Sequence, residues 1–235
     1  MSLAERIASA RRLLASVEKS YSPAALASSF GAEDMVVLDL IARDGLAIRV
    51  FTLDTGRLPR ETHDLIATVR KRYGIAVDVH APWPESVDAF VEQHGIDGFY
   101  EGVEQRKACC TVRKVEPLRR ALAGKRAWIT GLRREQSNTR AELAEIALDP
   151  DHGLWKFSPL ADWSDEDVWT YMRANDVPYN ALHDRGYPSI GCEPCTRAVK
   201  PGEHPRAGRW WWEQDGARKE CGLHEIPIRV LERTP

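Results

Sequence analysis

The sequence lacks a strong charge imbalance, a long apolar run and internal repeats. Its 33 basic and 35 acidic residues give a formal net charge of -2, so the chain as a whole does not attract nucleic acid or an anionic membrane. No apolar run approaches the roughly 18 residues that are needed to span a bilayer. We therefore expect a protein that binds neither nucleic acid nor membranes, and any anion-binding site must come from a local basic cluster.

The N-terminus also lacks the pattern of a signal peptide. Apolar residues recur there at helical spacing among charged ones, and Ser2 with Glu5 forms the pattern of a capping box. We predict an amphipathic helix over residues 1–20 and a cytoplasmic location, where thiols stay reduced. In that compartment, cysteines close in sequence indicate a metal or redox site rather than structural disulfides.

Short apolar runs alternate with helical patterns in the first half of the chain. The patterns predict strands at 24–28, 48–53, 75–80 and 126–130, and helices at 34–42, 59–73 and 112–122. This alternation is typical of an α/β fold with a mostly parallel twisted sheet and helices on both faces. We expect a single domain over 1–235, with an α/β core over about 1–175 and an irregular C-terminal segment, rich in Pro, Gly and Arg, over about 176–235.

Ligands of such sheets bind at the carboxyl ends of the strands, near a change in strand order. Three segments are expected to meet there, at 28–34, 53–56 and 130–134. In the first, small residues between a strand and a helix are typical of a turn that binds phosphate through its backbone N–H groups. A simple serine-capped turn is the alternative, since the segment lacks the Gly-Lys-Ser/Thr ending of a Walker A loop.

Only five cysteines are present, at three places. Cys192 and Cys195 have the C-x-x-C spacing that lets two thiolates bind one metal centre. Cys109 and Cys110 are adjacent and point in different directions, so they fit one zinc ion poorly but can reach two different irons of a [4Fe-4S] cluster. We interpret these four as cluster ligands, with structural zinc and buried structural cysteines as the alternatives.

The fifth cysteine, Cys221, lies near the C-terminus among basic residues. Arg218, Lys219 and His224 would lower the pKa of its thiol and make it nucleophilic at neutral pH. We interpret Cys221 as a catalytic nucleophile. Basic neighbours that occur by chance are the alternative.

Basic residues outside that stretch are candidates for binding an anion. They are Lys114, Arg133, Arg134, Arg206 and Arg209. Arginine side chains suit phosphate and sulfate oxygens, and Lys114, one helical turn beyond Cys110, would offset thiolate charge. A solvated surface position is the alternative for each of them.

Three motifs together resemble the assimilatory adenylyl-sulfate (APS) reductases of the iron–sulfur type, in the phosphoadenylyl-sulfate reductase family. They are Lys-Ala-Cys-Cys-Thr-Val-Arg-Lys at 107–114, Gly-Cys-Glu-Pro-Cys-Thr at 191–196 and Glu-Cys-Gly-Leu-His at 220–224. The resemblance covers most of the chain and implies the adenine-nucleotide α-hydrolase-like fold, which is related to the PP-loop enzymes. The segment 28–34 departs from the Ser-Gly-Gly-x-Asp-Ser loop of the ATP-splitting relatives, which argues against ATP cleavage.

The resemblance implies a thioredoxin-dependent reduction of adenosine 5′-phosphosulfate to sulfite and AMP, in sulfate assimilation toward cysteine biosynthesis. The Cys221 thiolate would attack the sulfate sulfur and become S-sulfonated, and a separate thioredoxin or glutaredoxin-like protein would release sulfite. A [4Fe-4S] cluster on Cys109, Cys110, Cys192 and Cys195 would be an electrostatic and structural element rather than an electron carrier.

The same resemblance assigns the substrate-binding residues. The phosphosulfate would be held by Lys114, Arg206, Arg209 and His224. The nucleotide would face Ser28, Ser29, Leu53, Asp54, Thr55 and Gly56. Arg133 and Arg134 complete the predicted set.

Several alternatives remain at this point. The nearest is a reductase of the 3′-phosphorylated nucleotide, or an enzyme that accepts both nucleotides. A non-catalytic nucleotide-binding protein that carries a cluster or zinc is an alternative of a different class. The sequence also leaves a homo-oligomer open.

Overall fold

The computed structural model describes residues 1–137 and 140–213. Its strands are β1 (Ala24–Ala27), β2 (Arg49–Leu53), β3 (Val77–His80), β4 (Ala127–Ile129), β5 (Ile146–Asp149) and β6 (Leu154–Phe157). Its α-helices are α1 (Leu3–Tyr21), α2 (Ala32–Arg43), α3 (Arg60–Tyr73), α4 (Pro84–His94), α5 (Val103–Cys110), α6 (Glu116–Leu122) and α7 (Asp165–Ala174).

The six strands form one sheet in the order β3-β2-β1-β4-β6-β5. All neighbours are parallel except β5 and β6, which are antiparallel. The chain runs outward from β1 to β3 and then returns to β4 on the other side of β1, so the strand order changes between β1 and β4. The predicted mostly parallel α/β sheet is confirmed, and its change in strand order is where a ligand site is expected.

Side chains of the central strands alternate between the two faces of the sheet. On one face, Leu26 and Val50 belong to the larger hydrophobic core, which also contains residues of α1, α2 and α7. On the other face, Phe51 and Trp128 pack with Leu118 of α6. Helices therefore cover both faces, which keeps a parallel sheet away from water.

The helix predicted at 112–122 is part of a longer helical unit. Helix α5 continues into a π-helical turn, Thr111–Val115, and then into α6. The extra residue of a π turn changes the direction in which the following side chains point. Cys109 and Cys110 lie at the end of α5, immediately before this turn.

The predicted N-terminal helix is also confirmed, with the capping box between Ser2 and Glu5 formed. Helix α4 and the β5–β6 hairpin have no counterpart among the predicted elements. Between Ala174 and residue 213 the described chain has only short 3-10 turns and an isolated bridge between Thr196 and Arg209. Within the described residues, no helix is long and apolar enough to cross a membrane.

Candidate functional site

A cleft of about 830 Å³ lies at the carboxyl ends of the parallel strands. It is lined by residues of all three segments that were expected to meet there: Ser28, Ser29, Gly31, Ala32, Glu33 and Asp34 after β1, Leu53 and Thr55 at β2, and Thr130, Gly131, Leu132 and Arg133 after β4. Lys114, Arg206 and Arg209 line the same cleft. The sheet therefore brings most of the predicted substrate-binding residues together, and their binding roles stay predictions.

In the turn after β1, the carboxylate of Asp34 occupies hydrogen-bond donors that a bound anion could otherwise use. Asp34 accepts hydrogen bonds from Ser29 N (2.6 Å), Ser29 Oγ (2.7 Å) and Gly131 N (3.0 Å). Phe30 N and Gly31 N donate to the hydroxyls of Ser28 and Ser29. The N–H groups of Ser29, Phe30 and Gly31, which we expected to bind phosphate, are thus already used. Burial raises the pKa of Asp34 to about 6 in spite of the hydrogen bonds to it.

The side chains of the segment after β2 have two different roles: Asp54 stabilises the turn, and Thr55 contacts a cysteine. Asp54 accepts from Gly56 N (2.9 Å) and lies 3.0 Å from Nε2 of His63, so its carboxylate holds the turn in place. Thr55 is buried, and its Oγ1 lies 3.2 Å from Sγ of Cys192. Of this segment, Leu53 and Thr55 line the cleft whereas Asp54 and Gly56 are not among its lining residues.

Arg133 is buried, and all five of its N–H donors have acceptors in the protein. Nε and Nη2 bind Glu33 (3.0 and 2.8 Å), and Nη2 also binds Asp165 (3.1 Å). Nη1 binds Glu135 (3.1 Å) and the carbonyl of Trp163 (3.3 Å). An anion would have to displace one of these bonds in order to reach Arg133.

Arg134 occupies a different position from Arg133, although the two are adjacent in sequence. It pairs with Asp162 and is not among the residues that line the cleft. Both arginines closely follow β4 in the sequence, so their positions in the sequence could not show that Arg133 lines the cleft and Arg134 does not.

The four cysteines Cys109, Cys110, Cys192 and Cys195 line a second, smaller cavity next to the cleft. All four are free thiols and are buried or half-buried. Burial and the neighbouring Cys192 raise the pKa of Cys195 to about 12, and burial raises the pKa of Cys109 although Arg113 opposes it. Buried thiols of this kind become thiolates when a metal centre replaces their protons.

The arrangement can be tested against the kinds of metal that such a donor set binds. In residues 1–137 and 140–213, no three His, Cys, Asp or Glu side chains are arranged to hold a single metal ion. A cubane cluster has its irons at separate corners, so its thiolates need not converge on one point. The four cysteines around one cavity therefore fit a [4Fe-4S] cluster better than one zinc ion, and the cluster remains a prediction.

Cationic side chains surround the cysteine cavity. They are Arg57, Arg106, Arg113, Lys114 and Arg209. Arg106 and Arg113 are buried, and neither was recognised as a site residue in the sequence. Nη1 of Arg113 donates to the carbonyl of Thr55 (2.7 Å), and Arg106 forms a buried ion pair with Glu213. A cavity lined by cations suits a centre with negatively charged thiolate ligands.

Arg209 lines both the cysteine cavity and the cleft. It is 7% exposed, and its Nη1 makes only long contacts, to Ser189 Oγ (3.4 Å) and the carbonyl of Ile190 (3.3 Å). Its Nε has no hydrogen-bond partner, and none of the ion pairs found in the described part of the chain includes it. A buried guanidinium without a carboxylate is costly unless an anion joins it.

The predicted nucleophile Cys221 and the neighbouring His224 lie outside the described residues. The described chain ends at Glu213, which is buried against Arg106 of α5. Trp210, also buried, has the guanidinium carbons of Arg106 and Arg209 at 4.5 and 4.8 Å from its ring centre. Arg209 and Trp210, which lie close to the end of the described residues, therefore line the cysteine cavity.

The model of the phosphoadenosine phosphosulfate reductase domain matches residues 23–198. The adenosine 5′-phosphosulfate reductase of Allochromatium vinosum is 55% identical over 222 residues, which cover 94% of this chain and 86% of that protein. The enzyme of the same name from Burkholderia cepacia is 54% identical over 229 residues, which cover 97% of this chain and 91% of that protein.

Solved structures support the same fold. A crystal structure of phosphoadenylyl-sulfate reductase from Candida auris, a phosphate complex, has a TM-score of 0.70 at 28% identity and covers 81% of this chain and 90% of that one. Yeast FAD synthetase in complex with FAD has a TM-score of 0.57 at 16% identity, covers 83% of this chain and 67% of that one, and shows a likeness of fold alone. The predicted nucleotide-binding fold, related to the PP-loop enzymes, is confirmed.

Proposed function

This chain belongs to the phosphoadenosine phosphosulfate reductase family and is an enzyme of that family, and from this we propose that it reduces adenosine 5′-phosphosulfate to sulfite and AMP. Relatives that are 54–55% identical over nearly the whole chain carry the name of that activity. We place the reaction in the cytoplasm, in the assimilation of sulfate toward cysteine.

The observation that carries this proposal is the position of Arg209. A buried guanidinium with no carboxylate partner among the described ion pairs lies between a cleft of nucleotide size and a cavity lined by four cysteines. Lys114 and Arg206 line the cleft as well. Three cations at one end of a cleft can hold the two linked anionic groups of a phosphosulfate. The nucleoside would then lie along Ser28, Ser29, Leu53 and Thr55.

In the first step, we propose that the Cys221 thiolate attacks the sulfur of the bound phosphosulfate. A bond forms between the Cys221 sulfur and the sulfate sulfur, and the bond from that sulfur to the bridging oxygen breaks. AMP leaves with the bridging oxygen and the electron pair of the broken bond. Lys114, Arg206 and Arg209 would neutralise the charge that collects on the phosphate, and His224 would hold the sulfonate oxygens.

In the second step, a thiolate of a reduced thioredoxin or glutaredoxin-like protein attacks the sulfur of Cys221. The bond between the two sulfurs of the S-sulfo group breaks, and sulfite leaves with its electron pair. The second thiol of the dithiol protein displaces Cys221 and restores its thiolate. The dithiol thus loses two electrons and becomes a disulfide, while sulfur passes from the oxidation level of sulfate to that of sulfite.

Cys109, Cys110, Cys192 and Cys195 would hold a [4Fe-4S] cluster. Such a cluster supplies a fixed structural and electrostatic centre beside the anion site rather than electrons for the reaction. The residues around the cluster site would orient the neighbouring end of the cleft. Thr55 contacts Cys192, and Arg113 holds the carbonyl of Thr55, so the β2 end of the cleft is tied to the cysteine cavity.

The test is an intact mass measurement of anaerobically purified protein after incubation with adenosine 5′-phosphosulfate and no reductant. We expect one added sulfonate group, which reduced thioredoxin removes as sulfite, and none on the matched Cys221→Ser variant. Protein that retains its iron, binds the nucleotide and forms no adduct would contradict the mechanism. It would instead favour a nucleotide-binding protein without catalysis.

A further inference from the structure

The segment that contains β3, α4 and the start of α5 is strongly acidic. Residues 73–105 include seven Asp and Glu residues and no Lys or Arg, although the formal net charge of the whole chain is only -2. Six of the seven acidic residues are exposed, namely Glu85, Asp88, Glu92, Asp97, Glu101 and Glu104. This side of the molecule therefore carries a concentration of negative charge, which attracts a partner with basic residues on its surface.

Exposed apolar side chains lie in the same region. Ile96 is 64% exposed, in the turn that leads into the 3-10 helix Gly98–Tyr100, and Tyr100 is exposed as well. The ring of Trp212 lies between those of Tyr100 and Trp211, with ring centres 4.4 and 5.8 Å away, and Trp211 is 48% exposed. We use the name acidic–aromatic face for Ile96, Tyr100 and Trp211 with the carboxylates of Asp97, Glu101 and Glu104.

The acidic–aromatic face borders the cysteine cavity. Oη of Tyr100 donates to the carbonyl of Pro194 (2.9 Å), and Pro194 lines the cysteine cavity between Cys192 and Cys195 in the sequence. Trp211 is two residues from the end of the described chain, and Cys221 follows Glu213 by eight residues. Eight residues span at most about 29 Å, so a small protein bound to this face is within reach of the predicted nucleophile.

The composition of the face is that of a surface that binds another protein. Such surfaces have an apolar centre enriched in Tyr and Trp and a polar edge. Aromatic side chains at the centre provide most of the binding energy, whereas charges at the edge mainly set the rate of association and the choice of partner. The partner that fits this face has an apolar surface with basic residues around it.

We propose that the acidic–aromatic face is the docking surface for a reduced thioredoxin, which would bind it through an apolar surface beside its reactive thiols. The inference rests on the proposed function, since it assumes that a dithiol protein discharges S-sulfonated Cys221. One thiolate of the thioredoxin bonds to the Cys221 sulfur, and sulfite leaves with the electron pair of the broken sulfur–sulfur bond. The second thiol then displaces Cys221, so the thioredoxin must stay docked beside the end of this chain through both exchanges.

The test starts from S-sulfonated enzyme, prepared anaerobically with adenosine 5′-phosphosulfate, and measures sulfite release at increasing concentrations of reduced thioredoxin. In the double variant Ile96→Ser, Trp211→Ser we expect kcat/KM for thioredoxin to fall at least about tenfold, because the apolar centre is lost. In Glu101→Lys, Glu104→Lys we expect a fall of at least about threefold at low ionic strength, which added salt should reduce.

Dithiothreitol is the small-molecule control. It is too small to need a docking surface, so it should discharge the native protein and both double variants at the same rate. Formation of the S-sulfo group should also be unchanged, because none of the four substituted residues lines the cleft or the cysteine cavity.

Two further variants are matched controls. Leu148→Ser removes an exposed apolar side chain from β5, at the opposite edge of the sheet from β3, and Glu166→Lys reverses an exposed charge on α7. Both should keep the native kcat/KM for thioredoxin.

The substituted side chains of the face are exposed, so the variants should fold, and Ile96→Ser or Trp211→Ser alone serves if the double variant does not. A native kcat/KM for thioredoxin in the folded variants, or an equal loss with dithiothreitol, would overturn the proposal. Native protein that forms no S-sulfo group would contradict the proposed function, and the docking proposal would fail with it.

Discussion

A Cβ atom on Gly191 would lie 2.3 Å from Nη2 and 2.6 Å from Cζ of Arg209. Real Cβ atoms do not approach other atoms so closely, so only glycine leaves room for the guanidinium at this place. Gly191 immediately precedes Cys192. The residue immediately before the C-x-x-C motif therefore also limits where the guanidinium of Arg209, a predicted anion-binding residue, can lie.

Gly191→Ala should displace Arg209 and weaken binding of the phosphosulfate. Loss of a hydrogen-bonded guanidinium costs about 1.5–3 kcal/mol, which is roughly a 10- to 150-fold increase in KM or in the Kd of a sulfonucleotide. Iron content should be unchanged, because the cysteines themselves are intact. If the effect acts through Arg209, adding Gly191→Ala to Arg209→Ala should cause little further loss, whereas two additive losses would mean that Gly191 acts in another way.

Cys195→Ala should lose iron and sulfide. Cys195 is half-buried in the cysteine cavity, and removing one of four thiolates leaves the predicted cluster with an open iron. Metal analysis and the visible absorption of anaerobically purified protein measure this. Cys221→Ser is the control, since Cys221 is the predicted nucleophile and not a predicted cluster ligand, so this variant should retain the full iron content. If Cys195→Ala also retained its iron, Cys195 would not be a ligand of the cluster.

Glu213→Ala should destabilise the protein strongly. Arg106 and Glu213 are 1% and 3% exposed in their side chains, and breaking a buried ion pair costs about 3–5 kcal/mol because one charge is left without its partner. Thermal unfolding followed by circular dichroism would show a lower Tm. Replacing both residues, with Arg106→Met and Glu213→Leu, should recover much of the loss, and a double variant as unstable as the single one would mean that the pair itself is not the cause.

Asp34 should make stability depend on pH in a defined direction. Its pKa is raised from 3.8 to about 6 by burial, so the folded state holds a proton that the unfolded state releases earlier. The stability that this proton contributes is fully present below pH 3.8 and is lost as pH rises through 6. Relative to Asp34→Asn, the native protein should therefore lose about 1 kcal/mol between pH 5 and pH 7.5 in urea unfolding. A difference that is constant over this range, or one that grows in the native protein's favour, would show that the pKa of Asp34 is not raised.

Much of the fold could be predicted because it depends on local patterns. The apolar runs placed β1, β2, β3 and β4 within about two residues of their observed positions, and the alternation of strand and helix was enough to bring three strand ends to one cleft. The β5–β6 hairpin and α4 were not predicted. In β5 the apolar residues Ile146 and Leu148 are exposed while Asp149 is buried, so its sequence pattern does not resemble that of a strand that faces the core.

The sequence by itself determined the chemistry of this protein: four cysteines in two close pairs, a fifth among basic residues, and arginines between them, which together are enough to identify the family. Only the tertiary structure decided which basic residues are available to a ligand. The guanidinium of Arg133 is hydrogen-bonded to Glu33 and Asp165, which are 100 and 32 residues away in the chain. Arg209, in contrast, is buried with no carboxylate partner among the described ion pairs. A guanidinium can bind a substrate only if carboxylates of the protein do not already occupy its donors. Those carboxylates come from segments that are distant in the chain, so local sequence patterns do not predict which arginines they pair with.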